Sequence, residues 1–330
     1  MRPIRWGILS TGRITAEFIP AVQFVPDACL YGIASRSLDK AEAARARYGA
    51  VKAYGSYEDM VRDPDIDIVY VATPTSLHAQ HARLCLEHGK PVLCEKAATV
   101  NTREFDDLCR LAEQKGLFLM EAVWMRFHPA FRQAVSWVRQ GAIGDLRLVK
   151  ADLGWLHAYD EGDRMFNRAL GGGTLLDLGP YTLGLATALL GPEPDDMTGV
   201  ASLTPDGVDR DSTVLLRYGP AYAALGMGYS FDSSVGETIL AGTQGRIVFT
   251  ERFHDAQRVF RYDAAERLVE TLDEPYACNG YEAEIQEAQA CLRAGKLQSD
   301  VVPWAYTRAI LQLIDRLKAR FGVRYPGDEG

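Results

Sequence analysis

The chain is short of what builds crosslinked, membrane-embedded or nucleic-acid-binding folds. Its six cysteines, Cys29, Cys85, Cys94, Cys109, Cys278 and Cys291, are scattered over 330 residues without a Cys-x-x-Cys pair. That fits buried thiols in a reducing compartment better than a disulfide framework. No apolar run approaches the roughly 20 residues that a membrane span needs. Basic residues are the minority charge, 36 Lys+Arg against 44 Asp+Glu for a net charge of −8, and they form no cluster. Nucleic acid and anionic membrane are therefore poor partners. Internal repeats and low-complexity tracts are absent. His78, His81 and Cys85 would share a helix face, but no second cluster of zinc-ligating side chains accompanies them, so no metal site is expected. Met1 to Gly7 leads straight into a strand pattern, leaving no room for a cationic, apolar leader, so a cytoplasmic location is expected.

What is present is enough apolar material, 47% of residues, for two cores in a chain of this length, and two domains leave a cleft between them. Up to about residue 120, short β-branched runs alternate with helical patterns, which implies a parallel sheet of βαβ units. Strands are expected at Ile4–Leu9, Cys29–Ser35, Ile68–Ala72, Pro91–Cys94 and Phe118–Glu121. Helices are expected at Ile14–Val25, Leu38–Tyr48, Leu77–His88 and Thr102–Lys115, with Gly49, Gly89 and Gly116 where C-terminal caps belong. Beyond Trp124 a helix over Pro129–Gln140, a strand near Leu146–Leu153 and a helix over Thr174–Leu190 precede consecutive strand-like segments joined by short turns. Those segments read as Val200–Leu203, Thr213–Tyr218, Ala221–Tyr229, Thr238–Leu240 and Arg246–Phe249, with helices around Tyr281–Arg293 and Trp304–Phe321 closing the chain. The fold class is therefore α/β. Residues 1–122 are expected to form a doubly wound Rossmann sheet, and residues 123–330 an α/β domain with a large, mostly antiparallel, open-faced sheet.

Five segments carry chemistry. The first strand runs into Ser10-Thr11-Gly12-Arg13-Ile14-Thr15, where backbone N–H groups and a helix N-terminus can reach a pyrophosphate; against G-x-G-x-x-G/A only Gly12 matches. The second strand ends in Ser35-Arg36-Ser37 and carries no carboxylate for a ribose 2′-hydroxyl. A guanidinium there pairs with a 2′-phosphate, so NADP is expected over NAD; the plainer alternative is an arginine capping a surface loop. Thr73-Pro74 and Glu95-Lys96 end strands at the same sheet edge, and a lysine there can hold an alcohol or carbonyl oxygen. Asp177 and Tyr181 lie four apart after Gly171-Gly172-Gly173, either a reactive pair or a buried tyrosine beside an aspartate.

The loop at Gly12, Ala34-Ser35-Arg36, Glu95-Lys96-Ala97, Met120 to Phe127, Asp177 to Tyr181 and Gly280 to Glu284 together resemble the glucose-fructose oxidoreductase/inositol dehydrogenase (Gfo/Idh/MocA) family over essentially the whole chain. Within it they are similar to the dihydrodiol dehydrogenase and NADP-dependent D-xylose dehydrogenase branch. The resemblance implies that Lys96 is the lysine of the Glu-Lys-Pro motif, Tyr181 the general acid/base and Asp177 the group orienting a sugar or diol. It implies that Trp124 and Arg126 lie near the nicotinamide, Ser35 and Arg36 at the 2′-phosphate, the Ser10–Ile14 loop at the pyrophosphate, and Thr73, Pro74, His78 and Glu95 along the cofactor. Ala97 stands where the motif has proline, the residue that would fix the backbone after the lysine. A homodimer or higher homo-oligomer through the second sheet is implied as well. The expected reaction is hydride transfer between nicotinamide C4 and a carbinol carbon, with Tyr181, its phenol made more acidic by the Lys96 ammonium, moving the hydroxyl proton. Two alternatives are a nicotinamide-dependent glycoside hydrolase and a non-catalytic NADPH sensor. Specificity is expected to reside on loops such as Trp155–Phe166.

Overall fold

A computed structural model describes residues 2–234 and 237–328. It divides into two compact units, Met1–Trp124 with Ala277–Thr307, and Met125–Tyr276 with Arg308–Gly330.

In the first unit the strands, apart from one short strand at the sheet edge, are largely apolar runs buried on both faces, the pattern of a parallel sheet covered by helices on each side. The strands are β1 (Ile4–Leu9), β2 (Ala28–Ala34), β3 (Lys52–Tyr54), β4 (Ile68–Val71), β5 (Val92–Glu95) and β6 (Leu119–Ala122). All pairings are parallel and the order is β3-β2-β1-β4-β5-β6, so chain order reverses between β1 and β4. The helices between them are α1 (Thr15–Phe24), α2 (Leu38–Tyr48), α3 (Tyr57–Arg62), α4 (His78–Glu87) and α5 (Thr102–Lys115). Side chains of Ser37, Ser56 and Asn101 accept backbone N–H bonds at the starts of α2, α3 and α5, and Gly49 and Gly116 end α2 and α5 in the left-handed region. The core holds Trp6, Ile8 and Phe18, whose ring stacks on Tyr70 at 3.6 Å between centroids.

The second unit packs α6 (Pro129–Arg139), α7 (Thr174–Asp177) and α8 (Gly179–Leu190) against an eight-stranded sheet. Its strands are β7 (Leu146–Gly154), β8 (Asp196–Leu203), β9 (Asp209–Tyr218), β10 (Ala221–Gly228), β11 (Thr238–Gly242), β12 (Gly245–Phe249), β13 (Arg258–Asp263) and β14 (Leu268–Asp273). The order is β14-β13-β12-β11-β7-β10-β9-β8, antiparallel except where β10 runs parallel to β7. Alternation assigns the faces: Val149, Val214, Leu216, Ala223 and Leu225 are buried, whereas Leu215 and Tyr222 on the other face are each 49% exposed and Val200 is 73% exposed.

Three features differ from the sequence expectation. The stretch Ala277–Thr307, which includes α9 (Glu282–Arg293) and the first turn of α10 (Trp304–Phe321), belongs with the first unit although it follows residue 123 in the chain. The cause is packing: Tyr281 stacks on Trp124 at 4.4 Å and meets Phe18 edge-on, and Trp304 Nε1 donates to the Leu119 carbonyl at 2.8 Å. The helix expected over Thr174–Leu190 is broken at Leu178, because Pro180 has no N–H to continue α7 and instead opens α8. Finally the strands β3, β13 and β14 and the helix α3 are elements that the sequence reading did not assign.

Candidate active site

The loop after β1 is shaped for something other than its own protein. Ser10 holds φ at +116°, a region that favours glycine, and its Oγ accepts the Gly12 N–H at 3.1 Å. A Cβ built on Gly12 would make only ordinary contacts, 3.4 Å to Ser10 Oγ and 3.5 Å to the Ala72 carbonyl. The fold therefore does not require glycine there, while Thr11, Gly12 and Arg13 lie exposed ahead of α1, whose N-cap Ile14 brings no side-chain cap. A bare backbone loop feeding a ten-residue helix fits a dinucleotide pyrophosphate.

The neighbouring strand ends meet the same edge. Ser35 is buried at the end of β2 with its N–H on the Tyr54 carbonyl, and Arg36 is exposed beside it. Tyr57 and His81 both feel the Arg36 charge, and their rings meet edge-on at 4.8 Å. Past β4, Thr73 is buried, Pro74 is half-buried, and the Thr73 hydroxyl meets His81 Nδ1 at 3.0 Å. Past β5, Glu95 is buried, Lys96 is half-buried, and the Lys96–Ala97 peptide is cis. His78 is buried with Nε2 2.7 Å from the Thr73 carbonyl and Nδ1 2.8 Å from that of Ala97. Burial pushes its pKa down to about 4, against the pull of both carbonyls. Any part His78 plays toward a cofactor therefore passes through the backbone it holds.

Trp124, at the end of this unit, stacks on Tyr281, and Arg126, the second residue of the next unit, sits over the Phe131 ring at 5.6 Å. In the second unit Asp177 closes α7 and accepts the Tyr229 hydroxyl at 2.8 Å. Tyr181, in the first turn of α8, lies with its ring 4.8 Å from His254. The glycines ahead of α7 serve the fold: a Cβ on Gly172 would strike the Arg164 and Met165 carbonyls at 2.7 Å, and Gly173, at φ +106°, lies against Asp209. Asp209 is buried and accepts the Thr174 hydroxyl and the Leu175 N–H, which anchors the start of α7. Around Tyr229 gather Trp155, His157 and Phe166, and His157 Nε2 meets Asp163 at 3.0 Å.

Profiles for an oxidoreductase family with an NAD-binding Rossmann fold (GFO/IDH/MocA) and for the GFO/IDH/MocA C-terminal domain match residues 4–123 and 131–248. The chain belongs to the Gfo/Idh/MocA family. Among curated members, the trans-1,2-dihydrobenzene-1,2-diol dehydrogenase of Mus musculus is 32% identical and that of Homo sapiens 31% identical, each over 99% of both chains. Among solved structures, the aldose-aldose oxidoreductase from Caulobacter crescentus superposes with a TM-score of 0.86 at 25% identity, covering 97% of this chain and 98% of that one. A 3-ketoreductase from Actinomadura kijaniata in complex with NADP reaches 0.84 at 26% identity, over 96% and 98%.

In this member of the family the strand-end residues Ser10 to Ile14, Ser35, Arg36, Thr73, Pro74, Glu95 and Lys96 lie along the carboxyl edge of one sheet, around the reversal between β1 and β4. Sequence reading missed Tyr57 and His81 beside Arg36, Tyr229 on Asp177, and Asp209. The one local signal was the aromatic density of the 155–166 loop; the other partners are joined only by folding.

Proposed function

We propose that this chain is an NADP-dependent oxidoreductase that moves a hydride between nicotinamide C4 and a carbinol carbon of a sugar, keto-sugar or cyclic diol. The observation that carries the reading is the gathering of an exposed backbone loop, an arginine on a strand end whose own residues include no carboxylate, and a half-buried lysine on one carboxyl sheet edge at the reversal of strand order, where open α/β sheets bind ligands. When bound, the nicotinamide supplies or accepts the hydride.

The chain's own residues do the rest. The loop Ser10–Ile14 binds pyrophosphate through backbone N–H groups. Arg36 and Ser35 bind the 2′-phosphate, and Arg36 selects NADP. Trp124 and Arg126 border the nicotinamide. Lys96 holds the substrate oxygen through its ammonium group, Tyr181 takes the hydroxyl proton in oxidation and returns it in reduction, and Asp177, fixed by Tyr229, orients the substrate. The enzyme works in the cytoplasm as a homodimer whose partner covers the open face of the β7–β10 sheet, where Leu148, Tyr222, Ala224 and Leu215 line up in register.

The test is a panel of pentoses, hexoses, keto-sugars and cyclic diols with NADP and NAD in both directions, run on the wild type and on Lys96→Met and Tyr181→Phe. Each variant is expected to lose about a hundredfold or more in kcat, the scale of a lost proton-transfer group, while NADPH binding stays nearly intact. Wild-type turnover in either variant removes that residue from the mechanism.

A further inference from the structure

Four residues, Glu95 to Ala98, follow one another at the end of β5, and buried polar side chains grip their backbone at successive points. Glu95 Oε2 accepts the Lys96 N–H at 3.1 Å, and its other oxygen takes the Tyr70 hydroxyl. His78 Nδ1, from α4, meets the Ala97 carbonyl at 2.8 Å. Glu121 Oε1, from β6, accepts the Ala98 N–H at 2.8 Å, while its Oε2 accepts the Thr307 hydroxyl of α10 at 2.7 Å. Cys94 Sγ reaches the Ala98 carbonyl at 3.7 Å. Glu121 is 3% exposed, and His78 and Thr307 each 1%.

Such an arrangement is expensive as packing. A carboxyl in this position must be desolvated, and an apolar side chain of similar volume fills a core more cheaply. The parallel ladder joins β5 to β6 through backbone bonds without any help from the Glu121 side chain. What the side chain adds is a fixed direction for the backbone two residues beyond Lys96, while His78 fixes the residue between them. A lysine side chain has four rotatable bonds, so its amine is aimed only as well as its backbone is held.

We propose that Glu121, seated by Thr307, and His78 are positioning residues that aim the Lys96 ammonium, so that they govern turnover without touching substrate or cofactor. This rests on the role given to Lys96 above. Displacing a reacting group by about 1 Å can cost on the order of a hundredfold in rate, and that is the scale available to these contacts.

The experiment compares Glu121→Ala and Glu121→Gln, alone and combined with Lys96→Met, by kcat, KM, NADPH affinity and thermal melting in the full-length enzyme. Glu121→Ala is expected to lower kcat about ten- to hundredfold with NADPH affinity within about threefold, and Glu121→Gln, which keeps an acceptor for Ala98, to recover most of it. On the Lys96→Met background Glu121→Ala should cost nothing further, because the group it aims is gone; a contribution to fold alone would multiply onto it unchanged. If Glu121→Ala does not fold, Thr307→Val takes its place, with Thr307→Ser as the recovering variant. Wild-type kcat in the folded Glu121→Ala or Thr307→Val enzyme, or losses that multiply with Lys96→Met, overturns the inference while leaving Lys96 in the mechanism. Wild-type turnover in Lys96→Met itself refutes the functional reading instead.

Discussion

In the proposed function Arg36 is the residue on which cofactor choice turns. It stands exposed at the end of β2 beside the buried Ser35, and that strand end carries no carboxylate to hold a ribose 2′-hydroxyl. A charge-assisted pair with a phosphate contributes about 1.5–3 kcal/mol, so Arg36→Ala should raise the KM for NADP roughly ten- to hundredfold and leave that for NAD within about twofold. Steady-state kinetics with both cofactors checks this, and an equal loss on both would mean that Arg36 does not read the 2′-phosphate. The place of Arg36 at the end of β2 was legible in the sequence because it follows from one strand and one loop. Glu121 was not. Its partners lie 23 and 186 residues away, and no local pattern distinguishes a carboxyl that will be buried on two such partners from one that will be solvated. Asp209, 35 residues from Thr174, escaped notice for the same reason.

Among the elements, α7 shows how a short helix is held in place. It has four residues, too few to stabilise itself, and its start is pinned by the Asp209 carboxyl, which burial pushes up to about 7. The folded protein thus binds the Asp209 proton more tightly than the unfolded chain does. The stabilisation this gives is complete below about pH 4 and is lost as pH rises through about 7. Between pH 5 and 8 the melting temperature of the wild type should therefore fall relative to that of Asp209→Asn, which has no proton to lose, by several degrees in a chain of this size. Parallel melting curves would show that Asp209 does not titrate in that window. At this scale the sequence reading did best where a strand is buried on both faces or a helix ends in a left-handed glycine, as at β4 and Gly116. It did worst at β13 and β14, whose arginines and carboxylates, including the Arg261–Glu270 pair at 2.9 Å, disguise a strand as a loop. The break at Leu178 was foreshadowed by Pro180 but hidden inside a continuous apolar pattern.

At the scale of the whole molecule, the exposed face of the second unit's sheet carries large apolar side chains on neighbouring strands. Leu215 and Tyr222 are each 49% exposed on adjacent strands, next to Val200 at 73%. Covering them with a second copy removes from water an apolar surface that a lone protomer would leave wet. If the wild type sediments as the proposed homodimer, Leu215→Glu combined with Tyr222→Arg should sediment as a monomer in analytical ultracentrifugation without a change in NADPH affinity; a monomeric wild type, or an unchanged mass in the variant, would overturn the proposed interface. The two-domain plan was legible from the change of rhythm after Trp124. The return of Ala277–Thr307 was not, since what draws it back is a set of rings, Phe18, Trp124 and Tyr281, that only the finished fold assembles. That return bears on how the protein is made. On a ribosome emitting the chain from its N-terminus, the dinucleotide-binding unit is begun first and completed almost last, its final helix arriving after the whole second sheet has been synthesised. The nascent polypeptide must therefore carry an unfinished unit, with the apolar flank of α1 still bare, through most of translation.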